Sequence, residues 1–191
     1  MDIKNICVFC SSSDDINPDF FKTAYTLGKL TGKNNINLIH GAGKIGLMGE
    51  LEKGARNFDT KVIGIIPEKL YKRGIYSETL DEIIITKDMK ERKEIMRNKS
   101  DAFIILPGGF GTLEEAIETI TLKQLKYHTK PVVFLNTNNF YDNLFKQFDN
   151  FYNNKFTNPK FKNLYFIAEN PEQALEYILN YKYIEVVDKW L

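Results

Sequence analysis

The stretch "AFIILPGGFGTLEEAIETI", residues 102–120, joins an apolar run to a helical pattern through a glycine-rich turn. Ala102–Leu106 is apolar throughout, as expected for a strand in a parallel sheet that is covered on both faces. Gly108, Gly109 and Gly111 allow a sharp turn and a close approach of the backbone to a ligand. The exposed amides at the start of the following helix, together with the helix dipole, predict an anion site suited to one phosphate.

Apolar, β-branched runs alternate with helical patterns along the whole chain. The predicted strands lie at Ile3–Phe9, Ile36–His40, Lys61–Ile66, Glu82–Thr86, Ala102–Leu106, Val132–Leu135 and Leu164–Ile167. The predicted helices lie at Pro18–Lys33, Leu47–Phe58, Met89–Asn98, Thr112–Lys126, Tyr141–Asn154 and Pro171–Leu179. In a chain of 191 residues, this alternation predicts one α/β domain with a doubly wound, Rossmann-like, mostly parallel sheet. We assign residues 1–180 to this domain and residues 181–191 to a C-terminal tail.

Composition excludes several classes of partner. The formal net charge is +1, so no global field would attract nucleic acid or an anionic membrane. No apolar run reaches the roughly 20 residues of a membrane span, and the N-terminus lacks the layout of a signal peptide. We therefore expect a cytoplasmic protein. Cys7 and Cys10 form a C-x-x-C pair, but on a strand they would face opposite sides of the sheet and serve packing.

A second glycine loop, "IHGAGKIG" at residues 39–46, matches the G-x-G-x-x-G spacing of dinucleotide binders. That fingerprint normally follows the first strand, and an acidic residue at the end of the next strand holds the ribose. Here the loop follows the second strand, and the next strand ends at Ile66-Pro67 without an acid. We therefore expect Gly41 and Gly43 to form a wall of the ligand cleft facing base or sugar, without holding a pyrophosphate.

Two polar groups near the first loop have structural and chemical interpretations. Thr112-x-x-Glu115 has the spacing of a capping box, in which Glu115 would only satisfy the amide of the helix N-cap. From spacing alone, capping and catalysis are equally compatible with Glu115. Upstream, Arg92, Lys93 and Arg97 fall within little more than one helical turn. For Lys93, Lys90 and Lys99 we prefer the interpretation of a solvated basic face.

The motif "PGGFGTLEE", preceded by "MKERKEIM" and "SDAFIILPGG", resembles the signature P-G-G-x-G-T-x-x-E of the LONELY GUY family of cytokinin-activating enzymes, often labelled lysine-decarboxylase-like. The resemblance extends to "ICVFCSSS", "GAGKIGLMG", "VIGIIP" and "KPVVFLN…FYDNL", and covers roughly residues 3 to 180. It implies a phosphoribohydrolase that cleaves the N-glycosidic bond of N6-modified adenosine 5'-monophosphates, or of AMP, and releases free base and ribose 5-phosphate. It also implies a homodimer that needs no metal or redox cofactor.

Within this resemblance the catalytic residues fall on Arg92 and Glu115. The predicted substrate-binding residues are Gly108, Gly109, Phe110, Gly111, Thr112, Glu114, Lys93, Gly41, Gly43, Ser12 and Met89. An oxocarbenium-like ribose, as in glycosidases, would be stabilised by the carboxylate, and the arginine would hold that carboxylate and reach the phosphate or sugar.

Two residues depart from the family pattern, and one other function stays open. Ser11 stands where the first loop commonly has glycine, and Ala42 interrupts a glycine triplet; we expect both near the base and ribose. A nucleotide or molybdenum-cofactor carrier on the same fold is the alternative function. The decarboxylase label would require a lysine that binds pyridoxal phosphate, and no such site is identifiable.

Overall fold

A computed structural model describes residues 2–185 and contains a seven-stranded, all-parallel sheet. The strands are β1 Asn5–Phe9, β2 Asn37–His40, β3 Val62–Pro67, β4 Glu82–Thr86, β5 Ala102–Ile105, β6 Val132–Leu135 and β7 Phe166–Ala168. Their order across the sheet is β4-β3-β2-β1-β5-β6-β7. The register places Ile6 beside Ala102 and Phe9 beside Ile105. The prediction of a doubly wound, Rossmann-like α/β fold is confirmed.

Within residues 2–185, six α-helices lie between successive strands and a seventh follows the last strand. They are α1 Pro18–Lys33, α2 Gly46–Ala55, α3 Glu68–Tyr71, α4 Met89–Lys99, α5 Phe110–Gln124, α6 Asp142–Asn153 and α7 Pro171–Leu179. The bounds of α1 and α7 agree with the predicted ones at both ends. Asn17 and Asn170 explain both starts, because each side chain caps its helix and a proline follows at the first helical position.

Both faces of the sheet are covered, which explains the continuous apolar runs of its strands. Along β1, Val8 packs on one face with Leu27 of α1 and Leu51 of α2. Cys7 and Phe9 pack on the other face with α4, α5 and α6. Cys10 packs on the same side as Val8, so the expectation that the two cysteines lie on opposite sides of the sheet is confirmed.

Three short segments were not predicted. Helix α3 follows β3 directly, and 3-10 turns occupy Thr137–Asn139 and Pro159–Leu164. The second turn begins at a proline after a capping asparagine. It occupies the start of the strand predicted at Leu164–Ile167, so β7 begins only at Phe166.

The strand order places a crevice at the carboxyl ends of the central strands. From β1 the chain winds outward to β2, β3 and β4 on one side, then returns to β5 and continues to β6 and β7 on the other. The loops after β1 and β5 therefore leave the sheet in opposite directions, which opens a ligand site at the carboxyl ends of these strands. The tail beyond α7 has no regular secondary structure as far as Glu185, and residues 186–191 lie outside the described residues.

Candidate active site

A cleft of about 750 Å³ lies at the carboxyl ends of the central strands. Its polar lining comes from the loop after β1, the loop after β2 and the start of α5. Its apolar lining comes from α2, the end of β3 and the segment after it. The side chains that line the cleft include Ser11, Ser12, Ile45, Met48, Ile66, Leu70, Ile75, Met89, Arg92, Thr112, Glu114 and Glu115, and the glycines that line it are Gly41, Gly43, Gly109 and Gly111.

Helix α5 begins at Phe110, two residues before the predicted start, and its N-cap is Gly109. No side chain caps this N-terminus. A methyl group placed on Gly109 or Gly111 would meet nothing within 4 Å, so this part of the backbone faces open space. The start of α5 therefore presents helical N–H groups to the cleft, in the arrangement that binds phosphate in many proteins.

The capping-box interpretation of Glu115 is wrong. Thr112 lies inside the helix, at its third residue, and its side chain packs against Gly108. Glu115 lies nearly one turn further along, too far into the helix to bond the N-cap amide. Its carboxylate is directed instead toward α4 and the cleft.

Arg92 and Glu115 form a buried ion pair in this cleft. Arg92 Nη1 donates to Glu115 Oε1 at 2.6 Å, and each side chain is only 11% exposed. Arg92 Nε donates to the carbonyl oxygen of Ile65 in β3 at 2.9 Å, so the guanidinium is fixed from two sides. Burial raises the pKa of the Glu115 carboxyl, and the facing Arg92 opposes that rise. The pair is thus a charge-assisted hydrogen bond held in a site of low polarity.

The loop after β2 shapes the other side of this arginine. A methyl group on Gly41 would collide with the Arg92 guanidinium, so the absence of a side chain makes room for the catalytic candidate. The His40 Nδ1 accepts a hydrogen bond from the Ala42 N–H at 3.1 Å and stabilises the turn. Burial lowers the pKa of His40 to about 4, so this acceptor is uncharged at neutral pH.

The start of α2, by contrast, is already occupied by groups of the chain itself. The Gly46 N–H donates to Asp14 Oδ1 at 2.8 Å, and the Leu47 N–H donates to the carbonyl oxygen of Ser11 at 3.0 Å. A carboxylate thus sits where a dinucleotide's pyrophosphate would bind at a helix N-terminus. This contact explains physically why "GAGKIG" matches the dinucleotide spacing without forming that site.

Helices α4 and α5 are joined by a row of ion pairs beside the catalytic candidates. Lys93 pairs with Glu114 and, at 3.2 Å, with Glu118. Arg97 Nη1 lies 2.9 Å from Glu118 Oε2. The expectation that Lys93 lies on a solvated face is therefore wrong, because its side chain joins α4 to α5 beside Arg92 and Glu115.

Most of the predicted substrate-binding residues border the cleft, and three do not. Ser12, Met89, Glu114, Thr112 and the backbone of Gly41, Gly43, Gly109 and Gly111 line it. Gly108 packs behind Thr112, Phe110 is 94% exposed, and Lys93 is taken up by its ion pairs. A contact of these three with substrate stays a prediction.

Sequence reasoning missed the apolar end of the cleft. Met48, Leu70 and Ile75 line it, but Leu70 and Ile75 follow β3 in a short helix and an irregular segment that have no long periodic pattern. The only available signal was the position of this segment at the carboxyl end of a parallel strand.

The two departures from the family pattern behave differently. Ser11 lines the cleft as expected. Ala42 does not: its methyl group is buried against Gly64 of β3, beside Leu80. Ala42 also adopts a φ of 66°, in the left-handed region that favours glycine. The Ala42 methyl group therefore packs into the core and does not line the cleft, although the neighbouring Gly41 and Gly43 do.

Comparison with known proteins is consistent with this geometry. The sequence model of a family described as "possible lysine decarboxylase" matches residues 48–178. The cleft lining in the described part of the chain includes no lysine that could form a Schiff base. A probable cytokinin riboside 5'-monophosphate phosphoribohydrolase of Oryza sativa subsp. japonica is 40% identical over 173 residues, which is 91% of this chain and 69% of that protein. A cytokinin riboside 5'-monophosphate phosphoribohydrolase of Arabidopsis thaliana is 37% identical, over 94% of this chain and 82% of that protein.

Solved structures share the fold. The molybdenum cofactor binding protein of Rippkaea orientalis superposes with a TM-score of 0.71 at 29% identity, over 94% of this chain and 97% of that one. The molybdenum cofactor carrier protein of Chlamydomonas reinhardtii gives a TM-score of 0.71 at 23% identity, over 93% of this chain and 97% of that one. The match to the family model and the identity to the plant enzymes together show that this chain belongs to the LONELY GUY family, the cytokinin riboside 5'-monophosphate phosphoribohydrolases.

Proposed function

We propose that this protein hydrolyses the N-glycosidic bond of N6-modified adenosine 5'-monophosphates, or of AMP, and releases the free base and ribose 5-phosphate. The observation that carries the proposal is the buried Arg92–Glu115 pair, 2.6 Å apart, next to the uncapped start of α5. The names of its plant relatives describe the same reaction class.

The start of α5 is the proposed phosphate site. The N–H groups at Gly111 and Thr112, with the positive end of the helix dipole, would hold the dianion. Binding energy from the phosphate, which lies away from the reacting carbon, would serve to orient the ribose. A nucleoside without phosphate should therefore react poorly.

Glu115 is the proposed group at the ribose. Cleavage of the C1'–N9 bond builds positive charge on the sugar, as in glycosidases. A carboxylate beside C1' stabilises that charge and orients the water whose oxygen bonds to C1'. The base leaves with the bonding electron pair and takes up one proton, and the water whose oxygen bonds to C1' gives up one, so the net reaction is hydrolysis. Arg92 holds the carboxylate in place and reaches toward the phosphate or the sugar hydroxyls.

The apolar end of the cleft is the proposed site for the base and its N6 substituent. Leu70 and Ile75 follow β3, whereas the phosphate site follows β5, and two strands separate β3 from β5. At the usual strand spacing these ends lie about 14 Å apart. The Arg92–Glu115 pair connects them, since Arg92 bonds β3 and Glu115 belongs to α5.

The test compares N6-isopentenyladenosine monophosphate with its unphosphorylated riboside. Chromatography should show free base from the nucleotide and far less from the riboside. Free base from neither substrate, at high enzyme concentration, would exclude the proposed reaction.

A carrier of the molybdenum cofactor is the second candidate, favoured by the similarity to the Rippkaea orientalis protein. The intact Arg92–Glu115 pair favours the enzyme, because a carrier needs no paired carboxylate at a reacting carbon. Molybdenum-cofactor binding that nucleotides do not displace, without hydrolysis, would favour the carrier.

We also propose a homodimer that acts in the cytoplasm. Phe110 and Ile117 expose apolar surface along α5 beside the cleft, as expected where a second copy covers it. Cys7 and Cys10 are free thiols, in keeping with a reducing compartment. Light scattering at the mass of one chain would contradict the dimer, and fractionation of expressing cells tests the compartment.

A further inference from the structure

Residues 72–80, here called the wall segment, form one side of the apolar end of the cleft through Ile75. Most of the segment is exposed, and Ser77 is its only fully buried residue. Tyr76 stacks on Tyr71 of α3, with ring centroids 4.5 Å apart. Leu80, at the end of the segment, packs against the core, and the exposed part that includes Ile75 is positioned mainly by hydrogen bonds.

Two of these contacts join the wall segment to the loop after β2. The Ser77 N–H donates to the carbonyl oxygen of Ala42 at 2.8 Å. Tyr76 and Gly43 form an isolated antiparallel bridge. These contacts hold the middle of the segment, directly after Ile75, against the loop after β2, but they do not involve Thr79.

A third contact comes from α2. The Glu52 side chain is only 4% exposed, and its Oε1 accepts a hydrogen bond from the Thr79 hydroxyl and pairs with Arg56. The Thr79 and Ser77 hydroxyls lie 2.9 Å apart, which extends the connection into the segment. A buried carboxylate costs free energy unless its bonds are satisfied, and the Arg56 guanidinium and the Thr79 hydroxyl satisfy those of Glu52.

We propose that Glu52 is a positioning residue for substrate selection: through Thr79 it fixes the wall segment and so sets the affinity for the N6 substituent. Glu52 itself would not contact the substrate. The inference rests on the proposed function, because it takes the apolar end of the cleft as the site of that substituent. It predicts a loss of discrimination between N6-isopentenyl-AMP and AMP when the connection is cut, with the phosphate and ribose sites unaffected.

Thr79 is the better residue for the test, because it is exposed and its replacement should not prevent folding. Thr79→Val removes the hydroxyl and keeps the shape, whereas Thr79→Ser retains the hydroxyl. Glu52→Gln removes the charge at the other end. Glu50→Gln is the matched control, since Glu50 is also ion-paired on α2, with Lys53, but has no contact with the wall segment.

The readout is the dissociation constant of each nucleotide by titration calorimetry, in a Glu115→Gln background so that turnover does not interfere. Thr79→Val and Glu52→Gln should each weaken the binding of N6-isopentenyl-AMP on the order of tenfold, because each removes a charge-assisted hydrogen bond. AMP should bind as before. The double variant should bind N6-isopentenyl-AMP no more weakly than the weaker-binding single variant, because both substitutions remove the same Glu52–Thr79 hydrogen bond. Thr79→Ser and Glu50→Gln should bind both nucleotides as the parent does.

Equal weakening of both nucleotides, or no change in Thr79→Val, would overturn the inference. Because the measurement is of binding, it is independent of catalysis. If the unmodified enzyme releases no base while Thr79→Val still lowers the preference for the prenylated nucleotide, the proposed reaction fails and the positioning role stands.

Discussion

Replacement of Gly41 by alanine should lower kcat substantially without unfolding the protein. The new methyl group would collide with the Arg92 guanidinium, and it would also lie 3.3 Å from the sulfur of Met48. Gly41 does not adopt a positive φ, so an alanine backbone fits there without strain. The effect of the substitution is therefore confined to the position of Arg92.

The size of the effect follows from the geometry of the ion pair. To restore an ordinary contact of about 3.5 Å, the guanidinium must move by about 1 Å. The bond to Glu115 is 2.6 Å long, and a shift of that size away from the carboxylate ends it as a hydrogen bond. Loss of a charge-assisted hydrogen bond costs about 1.5–3 kcal/mol. If the pair acts in the transition state, kcat falls about tenfold to a hundredfold.

Gly43→Ala is the matched comparison for kcat, because it adds a methyl group to the same cleft wall without contacting Arg92, and an effect on substrate binding would appear in KM. Its methyl group would lie 2.5 Å from the terminal methyl of Met48, the far end of a flexible side chain that can move aside. The assay is kcat for N6-isopentenyl-AMP, with thermal denaturation to show that both variants fold. If Gly41→Ala retains the kcat of Gly43→Ala, Arg92 is not held where the reaction needs it, and the steric argument is refuted.

Two further predictions concern ionisation. Burial raises the pKa of Glu115 above its ordinary value of 4.5, so on acidification its carboxylate is protonated at a higher pH than that of an ordinary glutamate. The acid limb of the pH profile of kcat should therefore lie above pH 4.5. An acid limb at or below pH 4.5 would contradict the catalytic role of Glu115. Lys123 is 2% exposed, burial lowers its pKa to about 8, and its Nζ has no hydrogen-bond partner among the described residues, although it faces the Tyr181 ring. Because the folded state holds this proton less tightly than the unfolded state, stability should rise with pH from about 8 to 10.5, and Lys123→Met should stabilise the protein at pH 7 by about 2 kcal/mol. Urea denaturation at pH 7 and pH 9.5 tests this: the gain should shrink at the higher pH, and a less stable variant at pH 7 would contradict it.

The fold was predictable because its strongest signals are local. The apolar strands and the proline and asparagine starts of α1 and α7 are determined by neighbouring residues, so the sheet and these helices follow from the sequence. Helix α3 and the turn at Pro159–Leu164 were missed, because such short segments contain no full period of an apolar pattern.

The site was predictable only in part. The glycine loop before α5 follows from the sequence motif, and the choice of Arg92 and Glu115 as catalytic candidates follows from the resemblance of that motif to the family signature. The capping box was wrong because α5 begins at Phe110, and no spacing rule reveals a start two residues early. Two contacts join residues that are far apart in sequence, so only the three-dimensional structure shows them. They are the packing of Gly41 beside Arg92 and the hydrogen bond between Glu52 and Thr79.

The central claim is that Glu115, held by Arg92, cleaves the bond between ribose and base in a nucleotide bound at the start of α5. The direct measurement is quantitative product analysis of N6-isopentenyl-AMP incubated with the unmodified protein and with Glu115→Gln. We expect the unmodified protein to release free base and ribose 5-phosphate in equal amounts, and the variant to bind the nucleotide but release neither. Equal turnover by the variant, or release of inorganic phosphate and riboside in place of the base, would contradict it.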